Sequence, residues 1–319
     1  MKPFKLAAVF VVLAIAVFAG VKVGMRAEHD SNSVSRQTTA VIKPVRAAPH
    51  ADPAPFTGVY MAGLPDSVAP LKAFASRTGA KLRLAMYYSS WNEPFQAAFA
   101  SAAAQLHIMP LVRMQPAGVS LAEIADGSQD SYLVSYADAV RRYGQPVVLS
   151  FGSEMNGDWY SWGYRNASAS DFIAAWRHIV SVFRTRQAGN VTWLWTVESV
   201  AAGDTAVASP DAWWPGRKYV TWVGMDGYYY RPGESFGTLF GPTLTDLRAL
   251  TGDPILVAAT GATSQAGKVA KIADLFAGAR ADRLLGLVWF DANGSQDWRI
   301  DTPATFAAFG RAAAESGGP

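Results

Sequence analysis

Between Val147 and Gly163 the chain gathers the residue types that handle sugars. Glu154 is followed by Asn156, Asp158 and three rings, Trp159, Tyr160 and Trp162. A carboxylic acid can protonate a glycosidic oxygen, an amide can hold a hydroxyl, and flat rings offer faces to the apolar sides of pyranoses. The carboxylate stands just past an apolar run, Val147 to Phe151, entered through Gln145-Pro146 and left through Gly152-Ser153. Such a run reads as a fully buried parallel strand. Read blandly, the same stretch is a core strand entering a Trp-rich surface loop, with Glu154 capping the turn. The local pattern does not separate the two.

The elements that position this stretch follow from the alternation of short apolar runs with helical patterns. Strands are expected over 58–61, 82–87, 107–112, 147–151, 191–197, 220–225, 254–259 and 284–290. Helices are expected over 68–78, 94–105, 132–143, 243–250, 268–279 and 303–314, with another capped by Ser170. That last helix has Phe172, Ile173, Trp176, Ile179, Val180 and Phe183 on one face. His178 lies off this stripe and reads as a surface or rim residue. Eight strand–helix units in the residues after 55 predict an α/β fold, the (β/α)8 TIM barrel. A doubly wound sheet is the alternative, and it would normally bring a Gly-rich first turn that this chain lacks.

In a barrel the site lies at the C-terminal ends of the strands. The residues there are Tyr87, Tyr88, Trp91, Glu93, Arg113, Gln115, Glu154, Asn156, Trp195, Glu198, Asp226, Tyr228, Tyr229, Trp289 and Asp291. Rings and acids without a cation cluster do not suit phosphate and do suit a neutral polysaccharide.

Composition narrows the classes further. The 319 residues include no cysteine and four histidines, two of them (His29 and His50) before the barrel. Thiolate metal sites and disulfides are excluded, and the composition points away from zinc; no cofactor is expected. The pI near 9.0 does not signal a nucleic-acid partner. Residues 1–47 carry seven Lys/Arg against Glu28 and Asp30, so the rest of the chain holds −2 of the total +3. Leu6 to Val21 has no polar side chain and is bracketed by Lys2, Lys5 and Lys22. Residues 1–25 therefore read as a signal peptide or membrane anchor, the latter being the chain's sole membrane contact. Residues 26–55, rich in Ser, Ala and Pro, read as a flexible linker, with the barrel at 56–319. An extracytoplasmic, secreted or anchored monomer is expected.

The run Glu154-Met-Asn-Gly-Asp-Trp-Tyr-Ser-Trp-Gly163 resembles the signature of glycoside hydrolase family 26, best known for β-mannanases. Tyr88-Ser-Ser-Trp-Asn-Glu-Pro-Phe95, Trp222-Val-Gly-Met-Asp-Gly-Tyr228, Val288-Trp-Phe-Asp291 and Asp297-Trp-Arg299 also look like family segments, in the right order. The resemblance implies a retaining mechanism. A Glu after strand four would be the acid/base and a Glu after strand seven the nucleophile, with carboxyls about 5–5.5 Å apart. Glu154 matches the first, whereas the second position is Ala259. Ser153 stands where the family usually has His, and Glu198 stands at the strand-five end where relatives tend to carry Asn.

Two functions of different kinds follow. One is hydrolysis of a β-linked glycan, mannan by resemblance, with Glu154 and Glu198 catalytic. The other is a carbohydrate-binding protein that has lost its nucleophile. A structural envelope protein is a third reading, against which the aromatic residues argue. Trp91, Asn156, Trp159, Trp162, Tyr228 and Trp289 are the expected sugar contacts.

Overall fold

The computed structural model describes residues 55–200 and 206–316. The proposed leader and nearly all of the linker lie outside them. Eight parallel strands close on themselves, each pairing with its neighbours in chain order and β8 returning to β1. They are β1 (Phe56–Met61), β2 (Leu82–Ser90), β3 (Met109–Gln115), β4 (Val147–Phe151), β5 (Val191–Glu198), β6 (Trp222–Tyr229), β7 (Ile255–Ala262) and β8 (Gly286–Asp291). Closure rules out the doubly wound sheet.

Alternation along each strand sorts the core into two layers. Leu84, Met86, Leu111, Val148, Leu194, Trp222, Leu256 and Val288 fill the barrel. Residues one step away, such as Ala85, Val112, Leu149, Trp195, Val257 and Trp289, face the surrounding helices. Those helices are α1 (Ala69–Thr78), α2 (Ala97–Ala104), α3 (Leu121–Ala125), α4 (Asp130–Tyr143), α5 (Ala169–Thr185), α6 (Phe236–Leu250), α7 (Lys268–Ala281) and α8 (Pro303–Ser316).

Several boundaries differ from the sequence reading. Helix α5 is capped by Ser168, whose hydroxyl accepts from the Asp171 amide, and Ser170 only touches that hydroxyl at 2.9 Å. Helix α6 starts seven residues earlier than expected, at a Ser235/Thr238 capping box, with Pro242 inside it. The short α3, with its Ser120/Glu123 capping box, and a 3-10 turn at Pro210–Trp213 were not anticipated. His178 is partly exposed, and its Nε2 lies 2.6 Å from an Asp130 carboxylate oxygen.

Candidate functional site at the barrel mouth

The centre of the mouth is an ion pair that crosses the barrel. Arg113 points inward from β3 and donates two hydrogen bonds to Asp226 on β6, at 2.5 and 2.7 Å. Both side chains are buried, 1% and 0% exposed. A buried bidentate pair of this kind persists because each partner cancels the other's desolvation cost. It shuts the mouth off from the apolar barrel interior.

Glu154 sits directly beside this pair. Its backbone is left-handed, with φ 59°, and follows Gly152 at φ 50°. A Cβ on Gly152 would stand 3.0 Å from the Phe172 ring and 3.3 Å from Trp162, so glycine alone fits there comfortably. The Glu154 amide donates to the Thr196 carbonyl at 2.9 Å, which ties the turn to β5. One Glu154 carboxyl oxygen is 3.8 Å from Arg113, and the other accepts the Trp159 indole N–H at 2.9 Å. Burial pushes the Glu154 carboxyl up to about 8, reinforced by the Asp226 charge and by a hydrogen bond with Asp226; Arg113 and Trp159 only partly offset this. The acid is therefore protonated at neutral pH while keeping 13% of its side chain exposed.

The remaining expected site residues separate into two groups. Trp159 stays in the mouth, laid so closely on Gly157 that a Cβ there would meet the indole at 2.4 Å. Tyr228 also stays, half-buried and tilted against Trp298 at 4.8 Å. Glu198 is half-buried at the end of β5, in register with Asp226. Ala259 pairs with Asp226 from the other side, 0% exposed and within the barrel-filling layer.

Four of the expected sugar contacts serve the scaffold instead. Asn156 is fully buried and spends its amide on the backbone: Nδ2 donates to the Glu198 and Ala208 carbonyls, and Oδ1 accepts from the Glu198 amide at 2.8 Å. It holds Glu198 rather than a hydroxyl. Trp162 is 5% exposed, stacked under Tyr160 at 4.3 Å, and donates to the Ser153 carbonyl. Trp91 is 6% exposed, bonded to Gln129 and packed on Tyr132. Trp289 faces the helices, with its indole N–H on the Trp298 carbonyl at 2.8 Å. Of the wider set, Tyr87, Trp195 and Tyr229 also face outward.

The sequence reading placed Tyr88 and Tyr228 at the strand ends but missed the aromatic wall that they complete. Tyr60 stacks on Phe290 at 4.4 Å and meets Tyr88 edge-on at 5.4 Å, while Trp298 carries Tyr230 on its edge. Burial pushes the Tyr88 and Tyr228 phenols up, so both remain hydroxyl donors. Asp291, pushed up to about 6 by burial, accepts from the Ile300 amide and anchors the loop that delivers Trp298. The available signal was parity: Tyr60, Tyr88, Tyr228 and Phe290 lie at inward positions, Trp195 and Trp289 at outward ones.

Residues 125–265, which include the Glu154 turn, Glu198, Asp226 and Ala259, match the model of glycosyl hydrolase family 26. Over those residues the chain is similar to that family. Endoglucanase H of Acetivibrio thermocellus is 28% identical over 266 residues, covering 77% of this chain but 29% of that protein. The chain thus spans under a third of the length of the curated relatives it matches. Among solved structures, Bacillus subtilis mannanase man26 shares the barrel fold at a TM-score of 0.62 and 16% identity, covering 81% of this chain and 84% of that one. The YdhT protein from Bacillus subtilis does so at 0.64 and 17%, covering 82% and 85%.

Proposed function

We propose that this barrel hydrolyses a β-linked glycan, of the mannan type by similarity, by single displacement. The observation that carries this reading is the position of the Glu154 carboxyl at the mouth, where it accepts the Trp159 indole N–H at 2.9 Å and where burial and Asp226 favour its protonated form. Glu154 gives its proton to the glycosidic oxygen as the C–O bond breaks. Glu198 takes a proton from the water that attacks the anomeric carbon, and the proton returns to Glu154 through solvent. Such a reaction needs acid and base roughly 6.5–9.5 Å apart and no covalent intermediate. It therefore tolerates Ala259, where a double displacement would need a carboxylate. Asp226 does not substitute for it, because Arg113 occupies both of its oxygens.

The same two residues favour a second reading, a glycan-binding barrel that cleaves nothing. The full chain, incubated with soluble β-mannan, β-glucan and xylan, separates them by the appearance of new reducing ends. Product from the native chain that disappears in both Glu154→Gln and Glu198→Gln supports hydrolysis. Binding without product supports the second reading, and neither binding nor product contradicts both.

A further inference from the structure

Strand β6 carries its inward parity up to the rim of the mouth. Asp226, Tyr228 and Tyr230 follow one another at intervals of two, so all three fall on the inward side. Tyr230 stands just past the end of the strand and is 41% exposed. Among the described residues only Val269 is a second exposed large apolar side chain. A single exposed ring is ordinary on a protein surface. What sets Tyr230 apart is its place and the firmness with which it is held.

Its ring meets Trp298 edge-on at 5.3 Å, and Trp298 in turn tilts against Tyr228 at 4.8 Å. Trp298 lies close on β7, where a Cβ on Gly261 would stand 3.0 Å from the indole. The three rings therefore climb from the floor of the mouth to its rim. Around that rim Trp159 follows β4, Glu198 ends β5 and Tyr230 follows β6. A chain lying across both Trp159 and Tyr230 passes in front of Glu154 and Glu198. Burial pushes the Tyr230 phenol up, reinforced by the charges of Glu198, Glu154 and Glu234, so it keeps its proton within the field of both mouth glutamates.

The loop beneath Tyr230 is fixed from several sides. The Glu234 carboxylate accepts the Tyr230 and Arg231 amides at 2.6 and 2.9 Å. Thr263 donates its hydroxyl to the Tyr230 carbonyl at 3.2 Å. Lys271, 7% exposed, donates to the Pro232 carbonyl at 2.7 Å and to the Glu234 carbonyl. One turn earlier on α7, the equally buried Lys268 donates to the Arg299 carbonyl at 2.6 Å, in the loop that carries Trp298. Two buried ammonium groups on one helix thus hold together the loops that present Tyr230 and Trp298. A ring held in this way loses little freedom when a ligand covers it.

We propose that Tyr230 is a glycan-contacting residue, whose ring stacks on a neutral pyranose unit on the far side of Glu154 and Glu198 from Trp159. The C–H face of a pyranose suits the negative face of the ring. The contact rests on the glycan reading given above but not on hydrolysis, since a binding protein would use it equally. It serves only chains long enough to reach past both glutamates, so Tyr230 makes the site prefer longer chains.

The test titrates the full chain with β-1,4-linked manno- and cello-oligosaccharides of two to six units. Rapid-mixing tryptophan fluorescence reads binding before product forms. In the native chain affinity rises with length. Tyr230→Ala loses about tenfold at six units and less than twofold at the shortest length that binds, and Tyr230→Leu repeats this pattern. Tyr230→Phe, which keeps the ring and drops the hydroxyl, stays within twofold of native at every length. Unchanged melting temperatures keep the comparison sound. No loss in Tyr230→Ala and Tyr230→Leu, or a loss equal at all lengths, overturns the proposal while native binding leaves the glycan reading in place. A loss in Tyr230→Phe as large as in Tyr230→Ala assigns the contact to the hydroxyl and overturns stacking. A native chain that binds neither series at any length overturns the glycan reading and this proposal with it.

Discussion

Glu154→Gln replaces a carboxyl that keeps its proton with an amide of the same shape, and its consequence can be worked out in free energy. The native carboxyl is pushed up to about 8 from an ordinary 4.5, so between those values the folded chain binds one proton more than the unfolded chain. The associated stability is complete below the unfolded value and is lost as pH rises through 8. Each pH unit in that window costs about 1.4 kcal/mol. From pH 5.5 to 7.5 the native chain loses about 2–3 kcal/mol from this group, or roughly 5–10 °C in Tm for a barrel of this size. The glutamine can still donate to Asp226 and accept from Trp159, and it does not titrate. Asp291, also raised, titrates in both chains and cancels in the difference. Urea denaturation followed by tryptophan fluorescence at pH 5.5, 6.5 and 7.5 should show the variant gaining on the native chain at each step. Parallel stability curves, with a constant gap, would refute a protonated Glu154.

Arg113→Met leaves Asp226 buried without its counter-charge and should cost about 3–5 kcal/mol by denaturation, most of it regained in R113M/D226L. Asn156→Ala strips the three hydrogen bonds at the end of β5. It should cost about 2–4 kcal/mol and abolish any Glu198-dependent activity while leaving the Glu154 titration in place. Trp159→Ala removes both the ring in the mouth and the indole donor that lowers the Glu154 pKa. Calorimetry should show about tenfold weaker binding of soluble β-mannan, and the pH profile should move upward.

Strand β4 was legible to the residue, because an apolar run bounded by Gln145-Pro146 and Gly152-Ser153 is the whole strand. Other strands run past their apolar stretch at the C-terminal end, to Ser90, Gln115, Tyr229 and Ala262. The inward residues there, Tyr88, Arg113, Asp226 and Ala259, line or underlie the mouth, so the hydrophobic pattern stops while the backbone ladder continues. Helix α6 was cut short for a different reason. Pro242 and two glycines argue against helix locally, but Phe236 packs so tightly on Gly278 that a Cβ there would lie 2.1 Å from the ring. That contact holds the first turn begun by the Ser235/Thr238 capping box, and it has no trace in local sequence.

At the site, Glu154 and Trp159 were readable because acid and ring share one turn. The Arg113–Asp226 pair was not, since it forms only when β3 faces β6 across a closed barrel. A lone cation in Met109–Met114 and a lone acid in Trp222–Gly227, both at inward positions, were the available clue. Trp289 was misassigned for want of parity: Val288 and Phe290 point inward, so the ring between them cannot.

Proton NMR of the first-formed sugar anomer, during hydrolysis of a soluble β-mannan, tests the central claim most directly. With Glu154 as acid, Glu198 as base and no carboxylate at 259, the native chain should release the inverted, α-anomer first, and Ala259→Glu should add a retained, β-anomer product. A retained anomer from the native chain would contradict single displacement.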